Sequence, residues 1–173
     1  MTGIRSIAAV TILASALVAC GGGGSGSGSG SSGSGGTVSI DGFSVTGTSA
    51  TSSGSVPPIN PGVNGGQFVL SWSASPDTYN ASFYLSPDNS LATTSGDVQI
   101  ASINCGLVVS RCDRNGTLAC TFDNNNTVLC DLAQKRNIAT LLDTIPKRLF
   151  LINKTCNALF TVCDTKALEI EFQ

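Results

Sequence analysis

Residues 21–36 contain only Gly and Ser. No side chain in that stretch buries enough apolar surface to offset the entropy of ordering its backbone, so it is expected to be a random coil. This constrains the chain more than any other feature, because a core must lie wholly on one side of it. Its r.m.s. reach is about 5–6 Å × √16, or roughly 20–24 Å. A Gly-rich phosphate loop is the sharper reading of such a composition. Those loops join a strand to a helix N-terminus, and neither flank has that pattern.

Before the coil, residues 7–18 form an apolar run interrupted only by Thr11 and Ser15 and preceded by one positive charge, Arg5. The run suits a signal-peptide core and falls short of the ~20 residues a spanning helix needs. An ordinary secretory signal cut after Ala19 is one reading, and a buried helix with only coil beside it is a poorer one. Leu17-Val18-Ala19-Cys20 resembles the lipobox of bacterial lipoproteins. The resemblance implies cleavage before Cys20, a diacylglycerol on the Cys20 thiol and often an acyl chain on its new amino group. The bilayer then becomes a partner, because each buried CH₂ contributes ~0.8 kcal/mol and two or more chains hold stably. By the same resemblance Gly21, standing where Asp would retain a Gram-negative lipoprotein at the inner membrane, implies the outer membrane or cell surface. The expected organisation is a signal peptide over 1–19, a lipidated Cys20 with a flexible linker to 36, and one domain over 37–173.

Six further cysteines follow: Cys105, Cys112, Cys120, Cys130, Cys156 and Cys163. An even number in an exported chain reads as disulfides. Structural zinc prefers close Cys pairs, often with His; the spacings here are wide and the chain has no His. The chain has nine basic and eleven acidic residues, and no Lys or Arg between Arg5 and Arg111. Nucleic-acid binding needs clustered cations, so it is excluded.

From residue 37 onward the periodicity is two. Phe68, Leu70, Trp72 and Ala74 alternate with polar or smaller residues, as do Leu118, Cys120 and Phe122, then Val128, Cys130 and Leu132, then Leu168, Ile170 and Phe172. Such alternation predicts half-buried strands. Val38, Ile40, Phe43 and Val45 change phase at Asp41-Gly42, as at a bulge. Ala81, Phe83 and Leu85 make another face between the turns 75–77 and 86–88, where Pro76 and Pro87 set the second position. Residues 98–103 form another apolar run, broken by Gln99 and Ser102, and 149–152 a continuous one. Residues 47–66 read as a long exposed connection. Only 131–142 has fair helix propensity, so a short helix or an irregular strand is expected there. Short strands with frequent turns over about 137 residues predict an all-β antiparallel sandwich.

The stretch Gly66-Gln67-Phe68-Val69-Leu70-Ser71-Trp72 resembles the second strand of fibronectin type III and other immunoglobulin-like domains. Residues 148–154 and 166–172 resemble their last two strands. The resemblance implies that sandwich fold. The cysteine-rich stretch 105–130 stands outside the family pattern as a stapled insert, and Leu149-Phe150 stand where a Tyr opens the penultimate strand.

One disulfide follows from register. Centring a hairpin on Asn125 sets Phe122 opposite Val128, Cys120 opposite Cys130 and Leu118 opposite Leu132, all on one apolar face. A three-residue Asn loop ending in the left-handed region suits this turn. Cβ atoms come close enough for a disulfide only at a non-hydrogen-bonded pair. Proximity in sequence adds Cys105–Cys112 and Cys156–Cys163, although six cysteines leave many connectivities open.

Catalytic chemistry finds little support. Without His there is no Ser-His-Asp triad, and no motif singles out a Ser–Lys pair. Glu169 and Glu171 share a strand face as a glycosidase pair would, but a solvated face opposite Leu168, Ile170 and Phe172 explains them. Asp77, Asp88, Asn89 and Asp97 are calcium-type donors, yet Asp77 and Asp88 flank one strand and stand about 30 Å apart at ~3.3 Å per residue. Trp72 is in phase with the core rather than free to stack on a ligand, and 124–126 is a turn before it is a sugar site. No enzyme, metal or cofactor is therefore expected. The expectation is a lipid-anchored cell-envelope domain that binds a protein or glycan, or alternatively a structural subunit of an envelope assembly.

Overall fold

The predicted alternation becomes two stacked sheets. The computed structural model describes residues 37–49, 55–104, 116–131 and 133–173, all within the unit Gly35–Gln173. Cys20, Cys105, Cys112 and Leu132 lie outside the described residues, and with them the expected lipidation at Cys20 and the expected Cys105–Cys112 pair.

The first sheet has the order β1-β3-β6-β7-β8. Its strands are β1 (Ile40–Thr46), β3 (Gln67–Ala74), β6 (Gly116–Asp123), β7 (Thr127–Cys130) and β8 (Arg136–Asn137). The second has the order β2-β10-β9-β4-β5, from β2 (Pro58–Ile59), β10 (Cys163–Phe172), β9 (Lys147–Cys156), β4 (Asn80–Ser86) and β5 (Val98–Asn104). All pairings are antiparallel except β2 with β10. The register of β1 on β3 shifts between Ile40 and Gly42, where the phase of the sequence changes.

Phe68, Leu70, Trp72 and Ala74 all point inward from β3 and are buried. They meet Phe83 and Leu85 of β4, Leu149 and Leu151 of β9, and Ile170 and Phe172 of β10 in one core. Edge-on aromatic contacts close it: Trp72 to Phe83 at 5.0 Å and Phe122 to Phe172 at 4.8 Å. Such pairs contribute ~0.5–1.5 kcal/mol beyond their area. The continuous run 149–152 fits β9, which is flanked by β10 and β4 and buries Leu149, Leu151 and Ile152 completely.

Three expectations are revised. Residues 131–142 do not form a helix: among the described residues they give a turn, the two-residue β8 and further turns. Asn137 Oδ1 accepts the Ala139 N–H at 2.8 Å, a local bond that competes with helical pairing. Ile138, Leu141 and Leu142 are drawn singly into the core. Secondly, the connection 47–66 is not wholly an exposed loop. Thr48 N–H donates to Pro58 O at 3.0 Å and Gln173 N–H to Ile59 O at 2.9 Å, so β2 is stitched to β10 and Ile59 is fully buried. Finally, residues 116–130 are not an appendage, because β6 lies between β3 and β7 and supplies Leu118, Cys120 and Phe122 to the core.

Strand polarity sorts the loops to two ends. One end holds the start of β1, the turn 75–79, the close of β5 and the loop 157–162. There Ile40 N–H donates to Asp164 Oδ2 at 2.7 Å, Tyr79 N–H to Cys156 O at 2.8 Å and Asn80 Nδ2 to Asn104 Oδ1 at 2.8 Å. The other end holds loops 60–66, 87–97, 124–126 and 139–146, with the C-terminal Phe172 beside Ile59.

Candidate functional site

β1 and β10 belong to different sheets, and the gap between them is a cleft of 770 Å³. Phe43, Leu91 and Phe150 supply its apolar lining, and Asn89, Lys166 and Glu169 its polar groups. Phe43 reaches it because the bulge at Asp41-Gly42 re-aims β1; the ring packs only partly, 6.2 Å from Phe83. Leu91 is exposed on the loop after β4. A second cleft of 480 Å³ opens at the far end beside Ser95, Thr140, Asp143 and Lys147. Lys147 Nζ binds Asp143 Oδ1 there at 2.6 Å and lowers the Asp143 carboxyl from its ordinary value.

The acidic pair Glu169 and Glu171 does share the outer face of β10, but Arg148 lies across both. Its Nη1 is 3.3 Å from Glu169 Oε1 and its Nε 3.2 Å from Glu171 Oε2. Gln173, which donates at 2.7 Å, and then Arg148 hold the Glu171 carboxyl below the usual range. A glycosidase acid needs the opposite shift. Asp88 and Asp97 are used in their own loops, accepting from Ser90 N–H at 2.9 Å and Thr94 N–H at 2.6 Å. Among the described residues no three His, Cys, Asp or Glu side chains gather as a metal site would require. Trp72 is a core residue, as expected.

The hairpin register holds at every expected pair that lies within the described residues; the expected Leu118–Leu132 pair lies outside them. Cys120 faces Cys130, Phe122 faces Val128, and Asp123 faces Thr127. Asn126 takes φ 54°, the left-handed turn residue that the three-Asn loop requires. Cys120 and Cys130 are joined, with Cα atoms 4.0 Å apart. That is the narrow, non-hydrogen-bonded kind of pair, and Asp131 N–H bonding to Ala119 O next door confirms the phase. Asp123 holds the turn from below: its Oδ1 accepts from Asn125 N–H at 3.0 Å and Thr127 N–H at 3.1 Å, and its Oδ2 lies 2.6 Å from Lys135 Nζ. Lys135 is the main reason its carboxyl titrates far below the ordinary range.

Cys156 and Cys163 are joined as well, across the first pair of the β9–β10 hairpin. The loop they close exposes Leu159, Phe160 and Val162 at 78%, 58% and 45%. Sequence reasoning passed over these three; the available signal was an apolar run inside a six-residue loop between paired cysteines, where a core residue has nothing to reach. Sequence reasoning also missed Asn153. It is fully buried on β9, and neither amide atom has a hydrogen-bond partner among the described residues. Comparison with protein-family models, curated proteins and solved structures finds no match to this chain.

Proposed function

We propose that this chain is a membrane-anchored, non-enzymatic binding or adhesion module of the cell envelope. The lipobox-like Leu17-Val18-Ala19-Cys20 and the Gly/Ser run support anchoring through Cys20 and a tether. The observation that carries the binding role is the 770 Å³ cleft between β1 and β10. Its volume falls in the range of ligand clefts, and such sites combine an apolar lining with a few placed polar groups. Phe43 and Phe150 offer ring surface to a sugar face or an apolar peptide side chain, and Lys166 and Asn89 offer donors. The placing of β3 in one sheet and the closing pair β9–β10 in the other agrees with the immunoglobulin-like sandwich, although fold by itself assigns no function.

A structural subunit of an envelope assembly is the second reading. The seven-residue edges of β1 and β5 favour it, because open edges accept strands. Both edge pairings carry a register shift, which twists an edge away from such addition.

Two measurements test the proposal. Metabolic labelling with a fatty-acid analogue should mark the wild type and not Cys20→Ala; equal label on both would end the anchoring reading. Proximity labelling in intact cells should recover a partner that Lys166→Glu and Phe150→Ser lose. Recovery of the same set with the cleft variants would move the function away from the cleft.

A further inference from the structure

We infer that the cystine-closed loop 157–162 is a lipid-inserting wedge that seats the domain on the bilayer; the choice of lipid as its occupant rests on the anchoring proposed above. Three observations lead there. The first is composition and exposure. The loop reads Asn157-Ala158-Leu159-Phe160-Thr161-Val162, without a charge, and Leu159, Phe160 and Val162 all stand in the open. Three large apolar side chains together on one tip are unlike the scattered ones a surface normally carries.

The second is how the loop treats its polar groups. Asn157 Oδ1 accepts the N–H groups of Thr161 at 3.0 Å and Val162 at 3.4 Å, while Asn157 Nδ2 donates to Thr161 Oγ1 at 3.1 Å. The Phe160 N–H donates to Asn157 O and the Asn157 N–H to Val162 O, both at 3.0 Å. Backbone groups that enter hydrocarbon must be satisfied internally, and here Asn157 satisfies the N–H groups of Phe160, Thr161 and Val162. Phe160 takes φ 56°, a strained conformation for a bulky residue. The Cys156–Cys163 bond holds the chain in that loop, so little ordering remains to be done on insertion.

The third is position. Ile40 N–H is bonded to Asp164 Oδ2, one residue beyond Cys163, so the chain enters the domain beside this loop. Residues 37–40, which follow the proposed tether in sequence, therefore lie at the end of the domain that carries the apolar tip. Lys154 stands on β9 two residues behind Cys156, where headgroup phosphates would lie. Among the described residues Asp41 and Asp77 are the further acidic groups near that end, and Asp164 accepts from the Ile40 N–H. Seated this way, the far-end loops 60–66, 87–97 and 124–126 face away from the membrane.

The test uses the whole mature chain, residues 20–173, with Leu159→Trp as reporter; Trp72, buried in the core, gives a constant background. On mixed phosphatidylcholine and phosphatidylglycerol vesicles the new indole should shift to the blue and be quenched by lipids brominated on their acyl chains. Co-sedimentation of the Cys20→Ser chain, which depends on the loop alone, should fall about tenfold or more when Leu159 and Phe160 are both changed to Ser. Unchanged thermal unfolding of that variant shows that the domain is intact. Intact mass reports acylation of Cys20 separately. Quenching without acylation keeps the wedge and removes the anchor. Acylation with a water-exposed, unquenched reporter indole overturns the wedge, and so does loop-dependent self-association in solution without quenching, which would make a second copy the occupant.

Discussion

Replacing Cys120 and Cys130 together by Ala removes a cross-link that closes a loop with a sequence separation of 10. With about eleven residues in the loop, the chain-entropy relation gives about 2.8 kcal/mol at 25 °C. Both sulfurs are also buried, Cys120 paired in register with Phe68, so each Ala leaves a small void costing roughly 1 kcal/mol. The expected loss is about 4–5 kcal/mol, close to the whole stability of a marginal domain. In urea it should lower the midpoint by about 2 M or more, with a steeper slope because the unfolded chain is no longer cross-linked. The pair Cys120→Val and Cys130→Val separates the two effects: Val fills the voids, so only about 3 kcal/mol should be lost. The hairpin register should survive in both, because Phe122 opposite Val128 and the Asn126 turn specify it independently. Equilibrium urea unfolding under non-reducing conditions is the assay. A loss below about 1 kcal/mol for the Ala pair, or a mapped peptide joining Cys120 to another cysteine, would refute both the register argument and the magnitude built on it.

Mild reductant should open Cys156–Cys163 well before Cys120–Cys130, because Cys163 is exposed and the other pair is buried; timed alkylation and mass mapping would show the reverse order if access does not govern the rate. Gly116→Ala would drive its Cβ into the Trp72 ring and should cost about 1–3 kcal/mol of overpacking, read by thermal unfolding and a shifted Trp72 emission; no change in either counts against the packing. Asn153→Leu should stabilise the domain by about 1–3 kcal/mol, since it removes an unpartnered buried amide at nearly constant shape; destabilisation would mean that the amide is engaged. Asp123 has a folded pKa below its unfolded value, so its contribution is complete above about pH 4 and fades as pH falls through the folded value. Asp123→Asn should therefore flatten the acid limb of an unfolding curve, and an unchanged limb would assign acid sensitivity to Asp143 and Glu171 instead.

Local information in the sequence determined most of the strands and the register of one hairpin. Phe122, Val128 and the two cysteines share a period of two, and three Asn residues can turn only in a few ways, so register needed no partner from elsewhere. The bulge at Asp41-Gly42 and the core role of Trp72 were legible for the same reason: each follows from the phase of side chains along one strand. Tertiary structure alone decided which strands became neighbours. Nothing local to 116–123 says that it lies against β3 instead of hanging as an insert, because that choice depends on Leu118 and Phe122 filling space beside Leu70 and Phe172. Residues 131–142 carry helix propensity, but burying Ile138, Leu141 and Leu142 in separate gaps outweighed the few tenths of a kcal/mol per residue that propensity supplies. The cleft brings Phe43 of β1 together with Lys166 of β10, more than a hundred positions apart, through the stacking of two sheets. Leu159 and Phe160 are apolar in the sequence as any core residue is; only the closure of their loop by Cys156 and Cys163, at the end of the sandwich, leaves them facing outward.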